Sequence, residues 1–332
     1  MPKPGPRNLI TDVPGLKVGC VEDEAVRTGV TVVLCPEAWT AAVDVRGGGP
    51  AVRETDTLRP ENSFSKAHAI CFSGGSVFGL GAADGAATAL SARDVGLRIA
   101  VGTPAIPIVP AACLHDLGNG GDKAWGLDPP YRALGMKAVA AAGEDFPLGS
   151  VGAGRGAMAG IRKGGLGSAS IDLGEGLIVG ALVAANPVGT PYMADGETFW
   201  AWPYEIDGEF GGKRPAADMP ATTEPIPDDS KLGARLKAGA NTTLALVATT
   251  ADLTTAEATR MAMMAHDGMA RAVRPSHSPF DGDVVFALAS GATPLGGDPM
   301  RGILRAKIGA AAADCLARAI ARAVFEAAKA SA

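Results

Sequence analysis

The sequence predicts an α/β protein in which long helices pack on sheets. Three observations carry that reading. Short apolar runs of strand length alternate with glycine-rich turns over residues 9–48. Alanine-rich segments of helical length are interleaved with further strands. Glycine is abundant, at 45 residues, while aromatics are only 5 %, a balance suited to tight turns and close backbone packing.

Taken in order, Val30-Thr31-Val32-Val33-Leu34-Cys35 reads as a strand, and His68-Ala69-Ile70-Cys71-Phe72 as a buried one. The latter runs into the turn Ser73-Gly74-Gly75-Ser76 and a helix to about Ala92. A glycine-dense stretch, Val151 to Gly167, precedes strands at Ala169–Leu173 and Leu177–Ala185. Residues 203–237 hold Pro215, Pro220, Pro225 and Pro227 among Gly, Asp and Lys, and read as a long exposed loop extending to about residue 240. Thr242 to Thr249 then reads as a core strand. Thr254-Thr255-Ala256-Glu257 has the pattern of a capping box, opening a helix to about Val273. Asp283 to Ala289 is a further strand. The last helix carries an apolar row at Leu304, Ile308, Ala312, Leu316, Ile320 and Val324, spaced to lie on one sheet face. No internal repeat is visible, and one domain spanning 1–332 is expected.

Composition narrows the functional classes. A net charge of −5 offers no basic surplus for phosphates, so neither nucleic acid nor an anionic membrane is an expected partner. The five cysteines are scattered without a CxxC pair, as expected of reduced, buried thiols rather than a disulfide framework or zinc site. Met1-Pro2-Lys3-Pro4-Gly5-Pro6 has no apolar signal core, and charged Asp314, Arg318 and Arg322 interrupt the alanine-rich C-terminal run. A cytoplasmic protein is expected.

Four features carry chemistry. At Asn241-Thr242-Thr243 a polar loop meets a β-rich strand headed by two hydroxyls. A threonine hydroxyl needs a base to become a nucleophile. If Thr242 were the first residue of a chain, its own α-amine, with a pKa of about 8, would serve. The same three residues are also an ordinary way into a strand. In Asp281-Gly282-Asp283 two carboxylates flank a residue without a side chain and can face one small volume. Such a turn also occurs in Ca²⁺ loops, but the other ligands of such a loop are missing, and no metal or cofactor is expected. Asn186, at a strand end before Pro187, can donate to a developing oxyanion or simply form a turn. Ser73, Gly74 and Gly75 lie between a strand and a helix, where amide N–H groups can receive an anion. The turn is neither a Walker loop nor a dinucleotide fingerprint.

Together these residues resemble the DmpA-type peptidases, which include L-aminopeptidase/D-Ala-esterase-amidases, β-aminopeptidases and nylon-oligomer hydrolases. The likeness runs from Val45-Arg46-Gly47-Gly48 and Arg53-Glu54-Thr55-Asp56 through Pro60-Glu61-Asn62, His68-Ala69-Ile70, Ser73-Gly74-Gly75-Ser76 and Phe78-Gly79-Leu80. It continues through Gly152-Ala153-Gly154, Lys163-Gly164-Gly165-Leu166-Gly167-Ser168-Ala169, Asn186-Pro187-Val188-Gly189 and Asn241-Thr242-Thr243. The matching order over most of the chain is more specific than any one motif.

The resemblance implies a four-layer αββα sandwich of the DmpA and ornithine-acetyltransferase-like type. It also implies self-cleavage into an α chain, 1–241, and a β chain, 242–332, assembled as a homo-oligomer of four or more αβ units. By position Thr242 is the nucleophile, Asn186 the oxyanion donor, and Asp281 and Asp283 the acidic pair that assists the threonine. Two departures stand out. Where the family often has a lysine after the GAG turn, counting lands on Ile161, with Lys163 nearby either as its substitute or as the lysine of the Lys163-Gly164-Gly165 turn alone. A family tyrosine or phenylalanine is replaced by His115, which either lines the pocket and titrates at about pH 6–7 or is an ordinary packed or solvated histidine. The implied reaction is hydrolysis of small peptides or amino-acid amides, with ω-amino-acid oligoamides as the second substrate class. Acetyl transfer of the ornithine acetyltransferase type and a non-cleaving binding protein are the rival classes.

Overall fold

The computed structural model describes residues 3–220, 222–234 and 241–329. Its strands and helices, in chain order, are β1 (Lys17–Asp23), β2 (Thr28–Val45), β3 (Ala51–Arg53), β4 (Lys66–Ser73), α1 (Gly81–Ser91), β5 (Ala111–Cys113), α2 (Tyr131–Ala140), β6 (Met158–Ala159), β7 (Arg162–Lys163), β8 (Gly165–Asp172), β9 (Ile178–Asn186), β10 (Thr242–Ala251), α3 (Thr255–Ala272), β11 (Val284–Thr293) and α4 (Met300–Lys329).

Among the described residues nine strands are joined by hydrogen bonds, eight along the path β3-β5-β4-β2-β11-β10-β9-β8 and the ninth, β1, paired to β2. The 18-residue β2 explains how one path makes two layers. Its first half pairs with β1 and β4, and its second half, Thr40 to Val45, pairs with β11. The chain thus passes from one sheet layer into the other within a single strand.

Alternation of side chains builds three cores between four layers. On β10, Ala245 and Val247 face α3 and α4, where they meet Met261, Met269, Ile308, Leu316 and Ile320. Leu244, Leu246 and Ala248 point the other way, onto Val33, Ile70 and Phe72 of the second layer. On that second layer, Val30, Val32, Ala69 and Cys71 turn outward to Ala82, Ala86, Leu134 and Ala138 of α1 and α2. The order is α3/α4, sheet, sheet, α1/α2, an αββα sandwich. Strands buried on both faces have no polar side to show, which is why the middle of β10, Leu244 to Ala248, reads as an unbroken apolar run.

The elements follow their sequence signals. Glu257 N donates to Thr254 Oγ1 (3.3 Å) and Thr254 N to Glu257 Oε2 (2.9 Å), closing the capping box that opens α3. The row Ile308, Ala312, Leu316, Ile320 and Val324 is buried against the sheet, with Leu304 at its edge. Gly167 lets α4 come close, since a Cβ there would stand 2.0 Å from the Ala319 carbonyl oxygen.

The segment expected to be an exposed loop departs from expectation. Residues 202–204 form a 3₁₀ turn, and Phe210, Ser230 and Lys231 are buried. Phe210 packs edge-on against Phe199. Glu209 beside it receives Arg318 Nε (2.5 Å) and Nη2 (3.0 Å) from α4, and Arg318 is itself fully buried. A proline- and charge-rich composition looks like surface, but here Glu209 is paired with a buried arginine and Lys231 is itself buried. Residues 235–240 of that segment lie outside the described residues. Among the described residues no helix is long and apolar enough to cross a membrane.

Candidate active site

Three strand ends meet at one point. β9 runs antiparallel to β10, so its last residue, Asn186, stands opposite the first residue of β10, Thr242. β11 runs parallel to β10, with Val284 opposite Leu244, and so starts at the same level. Asp281-Gly282-Asp283 leads into it. The topology therefore gathers Asn186, Thr242, Asp281 and Asp283, residues far apart in the chain.

The Asn241–Thr242 peptide sits in the middle of this cluster and is buried, with Asn241 5 % and Thr242 3 % exposed. Asn241 forms a parallel bridge with Asp281. Its N–H donates to the Phe280 carbonyl (3.2 Å), and its own carbonyl oxygen accepts from Gly282 N (2.7 Å). The same oxygen accepts from Thr242 Oγ1 at 2.5 Å. The hydroxyl thus lies against the carbonyl group of the bond preceding it, while a backbone N–H polarises that carbonyl. A Cβ on residue 282 would stand 2.6 Å from Thr242 Oγ1, so the glycine makes room for the hydroxyl. The 46–49 turn fixes this loop from behind: Gly47 N donates to the Asp283 carbonyl (3.1 Å) and Gly49 N to that of Asp281 (2.8 Å).

The two carboxylates hold backbone around the junction. Asp283 Oδ1 accepts from Thr243 N (2.8 Å), and its Oδ2 from His277 N (3.1 Å), with His277 Nδ1 at 2.8 Å. Asp281 Oδ1 accepts from Val188 N (3.0 Å), and Oδ2 from Ser278 Oγ (2.6 Å) and Ser278 N (3.1 Å). Burial and the neighbouring Asp283 push the Asp281 carboxyl up to about 6. Asn186 Oδ1 accepts from Met158 N (2.9 Å), and its Nδ2 donates to the His115 carbonyl (3.2 Å), leaving the second Nδ2 hydrogen for another acceptor.

The lysine at this junction is Lys231. It is 7 % exposed, and its Nζ donates to Asn241 Oδ1 (2.5 Å) and Asn186 Oδ1 (3.3 Å). Burial lowers its ammonium to about 7 against the pull of Asp281. Lys163, the lysine favoured from sequence, stands on the short β6–β7 ribbon, in register with Met158. No sequence motif singled out Lys231. It lies in a proline-rich stretch where a lysine looks like solvent-facing charge.

The Ser73-Gly74-Gly75 turn does another job than the one expected of it. Gly74 N donates to the Gly29 carbonyl (3.0 Å), Gly75 N to Asp116 Oδ1 (2.8 Å) and Ser76 N to the Leu114 carbonyl (2.9 Å). These amides are spent on internal acceptors, so the turn is structural and not an anion cradle. Gly75 has φ +83°, and a Cβ there would enter the Tyr131 ring. The buried Asp116, which Thr28 Oγ1 also bonds (2.6 Å), is the acceptor that occupies this turn. His115 enters the site through its carbonyl. Burial lowers its imidazole below the ordinary value, against the opposing pull of Asp116.

Comparison with known proteins agrees with this architecture. A model of Peptidase family S58 matches residues 8–332. An uncharacterized aminopeptidase of Mycobacterium tuberculosis is 42 % identical over 337 residues, covering 96 % of this chain and 94 % of the relative. A 6-aminohexanoate-oligomer endohydrolase of Kocuria sp. is 31 % identical over 336 residues, covering 98 % and 87 %. Among solved structures, a Burkholderia sp. β-aminopeptidase superposes with a TM-score of 0.69 at 26 % identity, over 97 % of this chain and 88 % of that one. The L-aminopeptidase D-Ala-esterase/amidase of Ochrobactrum anthropi, described as a variant among the Ntn hydrolase fold, gives a TM-score of 0.66 at 20 % identity, over 98 % and 88 %. The chain belongs to peptidase family S58, the DmpA-type peptidases, and is a hydrolase of peptide or amide bonds.

Proposed function

We propose that this hydrolase cleaves its own Asn241–Thr242 bond and then uses the freed Thr242 to hydrolyse small peptides or amino-acid amides. The observation that carries the reading is the contact of Thr242 Oγ1 with the Asn241 carbonyl oxygen, which Gly282 N polarises.

In the intact chain Oγ1 attacks the Asn241 carbonyl carbon, and negative charge develops on an oxygen already facing the Gly282 N–H. Collapse expels the Thr242 nitrogen as an amine and leaves Asn241 esterified to Oγ1. Water hydrolyses that ester, giving a carboxylate on Asn241 and restoring the hydroxyl beside a free α-amine. With a pKa of about 8, this amine is a suitable base for the neighbouring hydroxyl near neutral pH. A substrate acyl residue placed where Asn241 lay would rest its carbonyl oxygen on Gly282 N, and a free amino terminus would face the Phe280 carbonyl. Oγ1 attacks, the leaving amine takes the proton, and water releases the acyl group. Asn186 supplies its spare Nδ2 hydrogen to the oxyanion, and Asp283 holds Thr242 through the following amide. Hydrolysis of 6-aminohexanoate oligomers is the second reading, favoured by the 31 % identical endohydrolase.

The test is Thr242→Ala. It should give a folded, single-chain protein without amidase activity on aminoacyl p-nitroanilides. Splitting at the same bond in this variant would remove Thr242 as nucleophile.

A further inference from the structure

In the intact chain Asn241 is the acyl-side residue of the bond to be cut, and it is therefore a substrate caught in place. Its backbone is fixed on both sides, N–H to Phe280 and carbonyl to Gly282. The direction of its side chain is then the direction any acyl-side side chain takes when seated the same way. That side chain runs to Lys231 Nζ, 2.5 Å from Oδ1, and the amine's other bond goes to Asn186 Oδ1 at 3.3 Å.

We infer that Lys231 and Asn186 form a side-chain subsite for the acyl residue of the substrate, and that the subsite selects a short side chain ending in a hydrogen-bond acceptor, asparaginyl or aspartyl. The inference rests on Asn241–Thr242 being the self-cleavage site.

Three observations support it. First, Lys231 is held independently of Asn241. Its N–H donates to the Val188 carbonyl (2.9 Å), the preceding Asp229 accepts from Thr190 Oγ1 (2.6 Å), and the Asp229 carbonyl accepts from Ile161 N (3.0 Å). Breaking the 241–242 bond leaves these anchors intact, so the amine stays where the acyl residue arrives. Second, among the described residues Asn241 is read through its oxygen, since its Nδ2 is buried with no partner among them. A carboxylate in that place keeps the bond to lysine and has no orphaned donor. Third, once Asn241 leaves, the buried amine keeps, among the described residues, the longer bond to Asn186. An acceptor on the substrate restores what is lost, whereas an apolar side chain of the same size leaves a buried polar group unpaired. Burial brings the lysine to about 7, so a fair share of it is charged at neutral pH and drawn to an anion.

An apolar side chain leaves the buried amine unpaired, and a preference of about 100-fold in kcat/KM is expected from that loss. The experiment compares asparaginyl, aspartyl, leucyl and alanyl p-nitroanilides on the mature wild-type enzyme, leucine being close to asparagine in shape. Asparaginyl and aspartyl substrates should lead leucyl by about 100-fold, and Lys231→Met should collapse that ratio. In the intact chain, Asn241→Asp should process and Asn241→Leu should process about 100-fold more slowly. A wild-type enzyme that splits at Thr242 and turns over leucyl substrate as well as asparaginyl or aspartyl overturns the subsite while sparing the nucleophile. A protein that never splits overturns the underlying reading instead. If Lys231→Met fails to fold, the wild-type substrate ratio still decides.

Discussion

Gly282→Ala is the most informative single change. In the native backbone a Cβ at this position would lie 2.6 Å from Thr242 Oγ1 and 2.8 Å from the Gly49 carbonyl oxygen, where ordinary contact begins at 3.4 Å. Something must move by about 0.8 Å, and the neighbours on the other side are backbone of the 46–49 turn. The hydroxyl, or the loop that carries the polarising N–H, is displaced by that amount. A misplacement of about 1 Å can cost about 10²-fold in rate. Overpacking at one site costs about 1–3 kcal/mol of stability, which leaves a domain of this size folded. The assay is the time course of chain splitting after purification, followed by intact mass and denaturing gel, with circular dichroism to show that the fold persists. Half-conversion should lengthen about 100-fold. Gly49→Ala is the matched control, because the nearest atom to a Cβ there is 4.0 Å away. That variant should split at the normal rate. If Gly282→Ala also splits normally, Gly282 does not govern the approach of Oγ1 to the carbonyl, and the proposed geometry of attack falls.

Three further outcomes are expected. Asp283→Ala orphans the buried Thr243 N–H, at about 1–3 kcal/mol, and releases His277; splitting should slow and the urea midpoint fall, and normal maturation with an unchanged midpoint would remove Asp283 from its positioning role. Glu209→Ala leaves the buried Arg318 guanidinium without its carboxylate and should cost about 3–5 kcal/mol, read as a drop in melting temperature; an unchanged value would show the pair to be dispensable. His266 gives a pH test. Burial lowers its imidazole from 6.5 to about 4, so as pH falls the unfolded chain takes the proton first. Stability is therefore lost as pH falls from about 6.5 toward 4. Asp281, raised by burial from 3.8 to about 6, acts in the opposite sense, because there the folded chain takes the proton first. The wild-type minus His266→Gln difference isolates the histidine, and the variant should lose less stability than wild type between pH 7 and 4.5. Equal losses would refute the assignment.

The layers were legible in the sequence because period and burial coincide there. The middle of β10, Leu244 to Ala248, reads as apolar without alternation since both its faces are covered, and the α4 row is spaced for one sheet face. Thr242, Asn186 and the acidic pair could be found because each sits at a strand end beside a glycine, an asparagine or a proline that marks the boundary. What remained hidden depends on contacts between distant residues. The Ser73-Gly74-Gly75 turn looks the same whether its amides wait for a ligand or bond Asp116, which is 41 residues from Gly75. Lys231 carries no local mark of burial, and only the docking of residues 229–231 against Thr190 and Val188 brings it inside. The Gly282 side-chain gap was visible as a glycine between two aspartates. Its N–H bond to the Asn241 carbonyl was not, because that bond is set by the parallel register of β10 and β11.

The central claim is that Thr242 attacks substrate amides only after its own nitrogen has been released. It is tested most directly by N-terminal sequencing and intact mass of a preparation that hydrolyses aminoacyl amides, with activity followed as splitting proceeds. Activity should rise in proportion to the fraction of chains cut, and the smaller fragment should begin Thr242-Thr243-Leu244. Full activity in a preparation whose backbone is unbroken between Asn241 and Thr242 would contradict it.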